Sequence, residues 1–355
     1  MPSPISGAQQ RLAIKKATTW GTAVACGAND EIMFGSGQAK RSADVKVDES
    51  RGRSFSLDGT PGPVDGAATY TFNLRYAGME LIAAMIMGIA GIPTQQAATA
   101  AWLHTLKWNT DPYGLMITVA KSMVAYIEEV PTAKVTGVTI SGEVGPNPLQ
   151  VTLEVIGINR EVESAVNTLA TYANVTLPTD ANAHPVMFSH LAFRMNNVGD
   201  IALAAGDRIY PSKFTLATKR KMKGEPNGQY RTTGTSPQDL IDEPSNDGFP
   251  ELTLTLEFPK HSSAAYMTDL QNDARKKMDI TAAGATIEGA YKYTHGWQLP
   301  HLQLKNVNPT DGNGRIQEPL EFIIHGSAAA PAGMVGVTDP LWWLITSKRT
   351  TNPLA

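Results

Sequence analysis

"GFPELTLTLEFPKHSSAAYM", residues 248–267, decides the fold class. Leu252, Leu254, Leu256 and Phe258 fall on one face of an extended chain, and Glu251, Thr253, Thr255 and Glu257 on the other. That alternation describes a half-buried strand. An earlier stretch, "GAATYTFNLRYAGMELIAAM" at 66–85, repeats the plan: Tyr70, Phe72, Leu74 and Tyr76 alternate with Thr69, Thr71, Asn73 and Arg75 before an apolar, Met-rich run. A strand followed by a helix therefore occurs twice.

The flanking sequence extends the repeat. "KFTLATKRKM" (213–222) reads as a strand leading into a long polar loop, 223–248, and Val45 to Leu57 leads in the same way into "DGTPGPVDG". Glycine and proline mark both as exposed loops. Helices are expected over 76–88 and 262–278, the second with Ser262 and Ser263 as N-caps and Lys276 and Lys277 in its last turn. Each half closes with a hairpin, at 134–157 and at 301–326, and placing Gly157 on Gly326 sets Leu153 and Val155 beside Phe322 and Ile324. The expected fold class is mainly β with few helices: a duplicated, barrel-forming β-sandwich with one flanking helix per domain. Its parts are an N-terminal arm (1–41), a first domain (42–158), a linker (159–185), a second domain (186–327, opened by strand-like "MFSHLAFRMN") and a C-terminal arm (328–355).

A chain of 355 residues accommodates two such domains. The net charge of −3 argues against a general nucleic-acid binder held by phosphate contacts. A single cysteine, Cys26, excludes an internal disulfide framework and suits a reducing cytoplasm. The most apolar run, Leu81 to Ile92, is about 12 residues, well short of a membrane span, and no signal peptide is read at the N-terminus.

Catalytic and cofactor signatures are not found: the sequence has no phosphate loop, dinucleotide fingerprint, nucleophile elbow or H-E-x-x-H pair. The seven histidines are scattered. Neither an enzyme nor a cofactor is expected. Asp239, Asp242, Glu243 and Asp247 gather in the second loop, but their spacing departs from a calcium loop and reads as solvated. In "TKRKMKG", alternation separates Arg220 from Lys219 and Lys221, which points to contact with an acidic loop of a neighbouring copy more than to a phosphate patch. Trp342 and Trp343 in "PLWWLI", and Trp20 in "ATTWGTA", either cap their own domain or anchor another subunit.

"QRLAIKKATTWGTA", the Gly/Pro/Asp-rich loop, the Tyr-x-Gly-x-Glu-x-Leu run of "YAGMELIAAMIMG" and the "VTISGEVGPNPLQVTLEVIG" hairpin together resemble the major tail tube proteins of long, non-contractile-tailed bacteriophages. The second half resembles another copy, with "PKHSSAAYMTDL" in place of the Tyr-Ala-Gly-Met-Glu signature. The resemblance implies a virion-tail protein assembled in the host cytoplasm, with no membrane contact. Its hairpins would join those of neighbouring copies in a closed barrel around a channel for phage DNA, which passes without specific binding. Rings of six tube domains imply three copies of a two-domain chain, stacked through loops and arms and meeting the tape measure and terminator proteins. On this reading Glu251, Thr253, Thr255, Glu257, Thr69, Thr71 and Asn73 are candidates for the channel wall. Trp20, Asp58, Asp65, Lys219, Lys221, Asp242, Glu243, Trp342 and Trp343 are candidates for contacts between subunits, and the long loops are expected to be ordered only by neighbouring subunits. The alternative is a ligand- or carbohydrate-binding tandem β-sandwich, for which Trp297, Tyr291 and Tyr293 are the available aromatics.

Overall fold

The computed structural model describes residues 7–48, 57–178, 180, 185–233, 237–261, 263–312 and 315–355. The fold is mainly β. The principal strands are β1 (Arg11–Ala17), β2 (Ser36–Asp48), β3 (Leu57–Asn73), β4 (Trp102–Trp108), β5 (Met116–Ser122), β6 (Ile127–Glu143) and β7 (Gln150–Gly157). They continue with β8 (Leu191–Asn197), β9 (Lys213–Lys219), β10 (Glu251–Phe258), β11 (Arg275–Glu288), β12 (Tyr291–Val307), β13 (Arg315–His325) and β14 (Trp342–Ser347). Among the described residues three α-helices accompany them: α1 (Glu80–Met87), α2 (Leu169–Tyr172) and α3 (Ala265–Gln271).

Both halves use one pairing order. In the first, the antiparallel sequence of neighbours is β2-β3-β7-β6-β5-β1. In the second it is β9-β10-β13-β12-β11-β8. Chain order matches too, since α1 follows β3 and α3 follows β10. The alternation of the opening stretch is realised as read: Leu252, Leu254 and Leu256 are buried, as are Tyr70 and Phe72.

The halves are not separate sandwiches tethered by a linker. β6 is long enough to pair with β7 along one edge and, on the other, with β5 near its start and β9 near its end. The β6·β9 ladder runs from Lys213↔Glu143 to Lys219↔Gly137, so one antiparallel sheet, β2-β3-β7-β6-β9-β10-β13-β12, spans both halves. A second seam lies across the core, where β14 pairs with β12 and with β4.

Several expectations change. Residues 11–17 are a core strand, with Leu12, Ala13, Ile14 and Ala17 buried, and not part of a free arm. In the C-terminal arm, β14 buries Trp343 and Ile345. The linker packs on the first half: its anchor is Tyr172, buried with Val175 against Ala13, Cys26 and Ala120. "DGTPGPVDG" is not a loop but the continuation of β3, with Val64 opposite Ala43 and Pro61 opposite Val45. The register shifts there, as proline at an edge requires. Gly66 is needed for close approach, because a Cβ would lie 3.0 Å from the backbone of Asn159. The turn between β2 and β3 lies outside the described residues.

The helix expected over 262–278 stops at Gln271, and Lys276 and Lys277 belong to β11, where Met278, Ile280 and Ala282 are buried at a period of two. Its N-cap is Ala264, and Ser262 lies outside the described residues. The helix expected over 76–88 is α1, one turn shorter at its start. The described parts of the second loop are also ordered within their own chain, residues 234–236 lying outside the described set. Pro226–Arg231 and Asp239–Ile241 form a hairpin, Leu240 pairs with Val64 of β3, and Leu240 and Ile241 enter a cluster with Ala17, Trp20, Met116 and Ile158.

Candidate channel wall and assembly interface

The shared sheet has one apolar and one polar face. Tyr70, Phe72, Val138, Ile140, Val151, Leu153, Leu216, Leu254 and Phe322 are buried on the first. Registers carry mostly polar residues across the second in rows: Thr71, Thr152, Thr139, the small Ala217 and Thr253 form one. Asn73, Gln150, Ser141, Thr215, Thr255, Glu321 and Asn306 form the next. A third contains Thr69, Glu154, Gly137, Lys219 and Glu251. All the candidate wall residues thus lie on one face of one sheet, Glu257 in register with Lys213 at its end.

That face is charge-paired rather than free of lysine. Lys219 Nζ lies 3.4 Å from Glu154 Oε2, reaching over Gly137, which has no side chain to intervene. Lys305 lies 2.7 Å from Glu321, and Lys221 2.7 Å from Glu251. The Lys221 ammonium, through its hydrogen bond, holds the Glu251 carboxyl below its ordinary range. Sequence alternation found β3 and β10 but could not reveal that Glu143, Glu154, Lys213 and Glu321 share their face, because non-local pairing creates it.

The tryptophan candidates have partners within the chain. Trp20 is buried and its Nε1 donates to Ile241 O at 3.0 Å. Trp343 is buried and donates to His295 Nδ1 at 3.1 Å, while His295 Nε2 bonds Arg75 O at 2.9 Å. Those two bonds fix the neutral tautomer with hydrogen on Nε2. Complete burial pushes the imidazole down to about 4. Trp342 is half-buried beneath Lys107 and donates to Asp339 Oδ2.

Of the loop acids, Glu243 pairs with buried Lys134 at 2.6 Å, Asp239 with Arg231 at 2.7 Å, and Asp242 accepts from Glu225 N at 2.8 Å. They face different partners, and among the described residues no three His, Cys, Asp or Glu side chains are grouped to hold a metal ion. Asp58 and Asp65 fall in β3, with Asp65 opposite Ser42; their side chains are outside the described set. Arg220 leaves the basic run altogether, as alternation requires: it is buried over the Trp108 ring and donates to Ile86 O at 2.8 Å, capping α1 from the other half. Burial lowers this guanidinium to about 10.

The aromatics of the ligand-binding alternative do not form an exposed platform. Trp297 and Tyr293 are buried, and Trp297 stacks with His295 in the core. Among the exposed large apolar groups, Val144 and Tyr210 sit beside the Glu143/Lys213 end of the shared sheet and Phe249 at the opposite one, while others such as Ile92, Ile201 and Val335 lie elsewhere. No helix among the described residues is long and apolar enough to cross a membrane.

A search of curated proteins finds no match. The family described as Phage tail tube protein matches residues 7–324, nearly the whole chain and both copies of the strand order. The chain belongs to the phage tail tube protein family.

Proposed function

We propose that three copies close into a ring of six tube domains whose polar sheet faces line a channel for DNA ejection. As a family member the chain is a structural protein of the virion tail, built into its tube. The observation that carries the finer reading is the shared sheet itself: eight antiparallel strands, one face in the core and one polar, ending in the outer edge of β2 and, beyond the part covered by β11, in the Leu304–Val307 end of β12. An open sheet with two bare edges is an aggregation hazard, and closure between copies removes both edges at once. Each half then acts as one tube domain, the first from β1 through the packed 159–178 segment and the second from β8 to β13. Val144, Tyr210 and Phe249 sit where ring meets ring. Tape measure and terminator proteins meet the same surfaces at the ends of the tube, after assembly in the host cytoplasm.

Negative-stain microscopy of the purified protein tests this reading. Rings or tubes with a stain-filled centre are expected; monodisperse single chains at all concentrations would overturn it.

A further inference from the structure

We infer that the Ser36–Ala39 end of β2 in one copy pairs antiparallel with the Leu304–Val307 end of β12 in a second copy of this chain. The register is the one that β9 keeps with β6 inside the chain. The inference rests on the ring reading above and names the edges that close it.

The equivalence follows from registers alone. Leu153 lies between Tyr70 and Val138, and Phe322 lies between Leu254 and Leu304. One strand further out, Tyr70 faces Gly37 and Leu254 faces Leu216. Gly37 is therefore the counterpart of Leu216, and Gln38 that of Ala217. On the other side, Thr139 faces Thr152 and Asn306 faces Glu321, which makes Asn306 the counterpart of Thr139. Ala217 faces Thr139 within the chain. By the same step, Gln38 of one copy faces Asn306 of the next.

Both edges are open at these positions. Pairing of β11 with β12 ends at Gln303, and among the described residues no strand occupies that edge of Leu304–Val307. Among the described residues β2 pairs along one edge only, with β3. Inside the chain the outward groups of β9 reach β6, a ladder that continues as Arg220 N to Thr136 O at 2.7 Å. The matching groups of β2 have side chains in place of a strand: Gly37 O accepts from Lys121 Nζ at 2.7 Å, and Ala39 N donates to Glu128 Oε1 at 3.2 Å. Lys121 and Glu128 face each other across the β5·β6 ladder, and Glu128 Oε1 also pairs with Arg160 Nε at 2.9 Å, so once displaced the carboxylate keeps a cationic partner. The pair caps the edge of the lone chain and yields to a strand, a way of guarding an edge until its partner arrives. Because the two edges differ, the contact is head-to-tail and closes only as a ring or continues as a filament.

A cysteine pair tests the register: Gln38→Cys with Asn306→Cys, in a Cys26→Ser background, with Thr139→Cys plus Ala217→Cys as the intrachain control. On oxidation of assembled tubes, the first pair should give covalent multiples of the chain on a non-reducing gel, with more than half the protein cross-linked, and neither single variant should do so. The control should close within one chain. Tubes that form without cross-linked multiples, while the control bond forms, overturn the register and leave the ring reading intact. Wild-type protein that never assembles overturns both. If the cysteine pair itself blocks assembly, hydrogen exchange on wild-type tubes decides: peptides over 36–39 and 304–307 should exchange at least about tenfold more slowly than in the dispersed chain, and unchanged exchange at either rejects the pairing.

Discussion

Helices α1 and α3 follow equivalent strands, yet their surroundings are opposite. In α1, "ELIAAMIM", every residue but Leu81 is buried; in α3, "AYMTDLQ", none is. An apolar surface all round a helix demands cover on every side, whereas a one-sided stripe needs only a sheet beneath it. Beyond β6 of the repeat itself, the cover on α1 comes from added strands: it packs against β4 and β14, whose Leu106, Trp108, Trp343 and Ile345 join the same buried cluster. Over α3, Tyr266, Met267 and Leu270 reach the core only in part. The duplicated unit thus supplies the sheet and the helix, and the added strands supply a seam that locks one half to the other.

Cutting the seam should have the largest effect on stability. Trp343→Ala removes the ring that packs on Trp297 and His295, at an expected cost of about 3–5 kcal/mol, read from denaturant unfolding. A loss below about 1 kcal/mol would mean that β14 is peripheral. Truncating the helices themselves sharpens the contrast: Ile86→Ala in α1 should cost about 2–4 kcal/mol, and Leu270→Ala in α3 less than about 1 kcal/mol in the isolated chain. Equal losses would erase the distinction drawn here.

Acid should act at the same seam. His295 is held neutral, with its folded value lowered to about 4 from an ordinary 6.5, so its contribution is fully present above pH 6.5 and is lost as pH falls toward 4. Between those limits the unfolded chain binds the extra proton. At pH 5 the loss should approach about 2 kcal/mol, and His295→Gln should flatten the slope of stability against pH. His104, bonded to Arg349 O beside β14, is lowered in the same direction by burial and adds to the wild-type slope. A stability curve flat from pH 7 to 5 would contradict the burial of His295.

Reversing charge on the polar face should leave stability nearly unchanged and alter passage of DNA. With Glu251→Lys and Glu257→Lys, tubes should form while ejection slows, the defect easing as salt is raised. Unchanged ejection at low salt would remove β10 from the channel wall.

Much of this was legible in the sequence where one strand face is apolar. Leu252, Leu254 and Leu256, and the 134–157 and 301–326 hairpins, all carry their period openly. The β2–β3 ribbon was hidden because glycine and proline ordinarily signal loops, although an edge with register shifts tolerates them. β1 was hidden because Leu12, Ala13 and Ile14 are buried in succession, leaving no alternation to read. β11 was obscured by Lys276 and Lys277, which suit a helix end. The β6·β9 junction and the pairing of lysines with carboxylates on the polar face arise from contacts distant in sequence, and no local pattern encodes them.

The symmetry of an assembled tube, resolved by electron cryomicroscopy, tests the central claim most directly. Three chains per ring are expected, presenting six similar domains around the channel, with β6·β9 contacts inside chains alternating with β12·β2 contacts between them. Six chains per ring, or a ring in which only one half of each chain faces the channel, would contradict it.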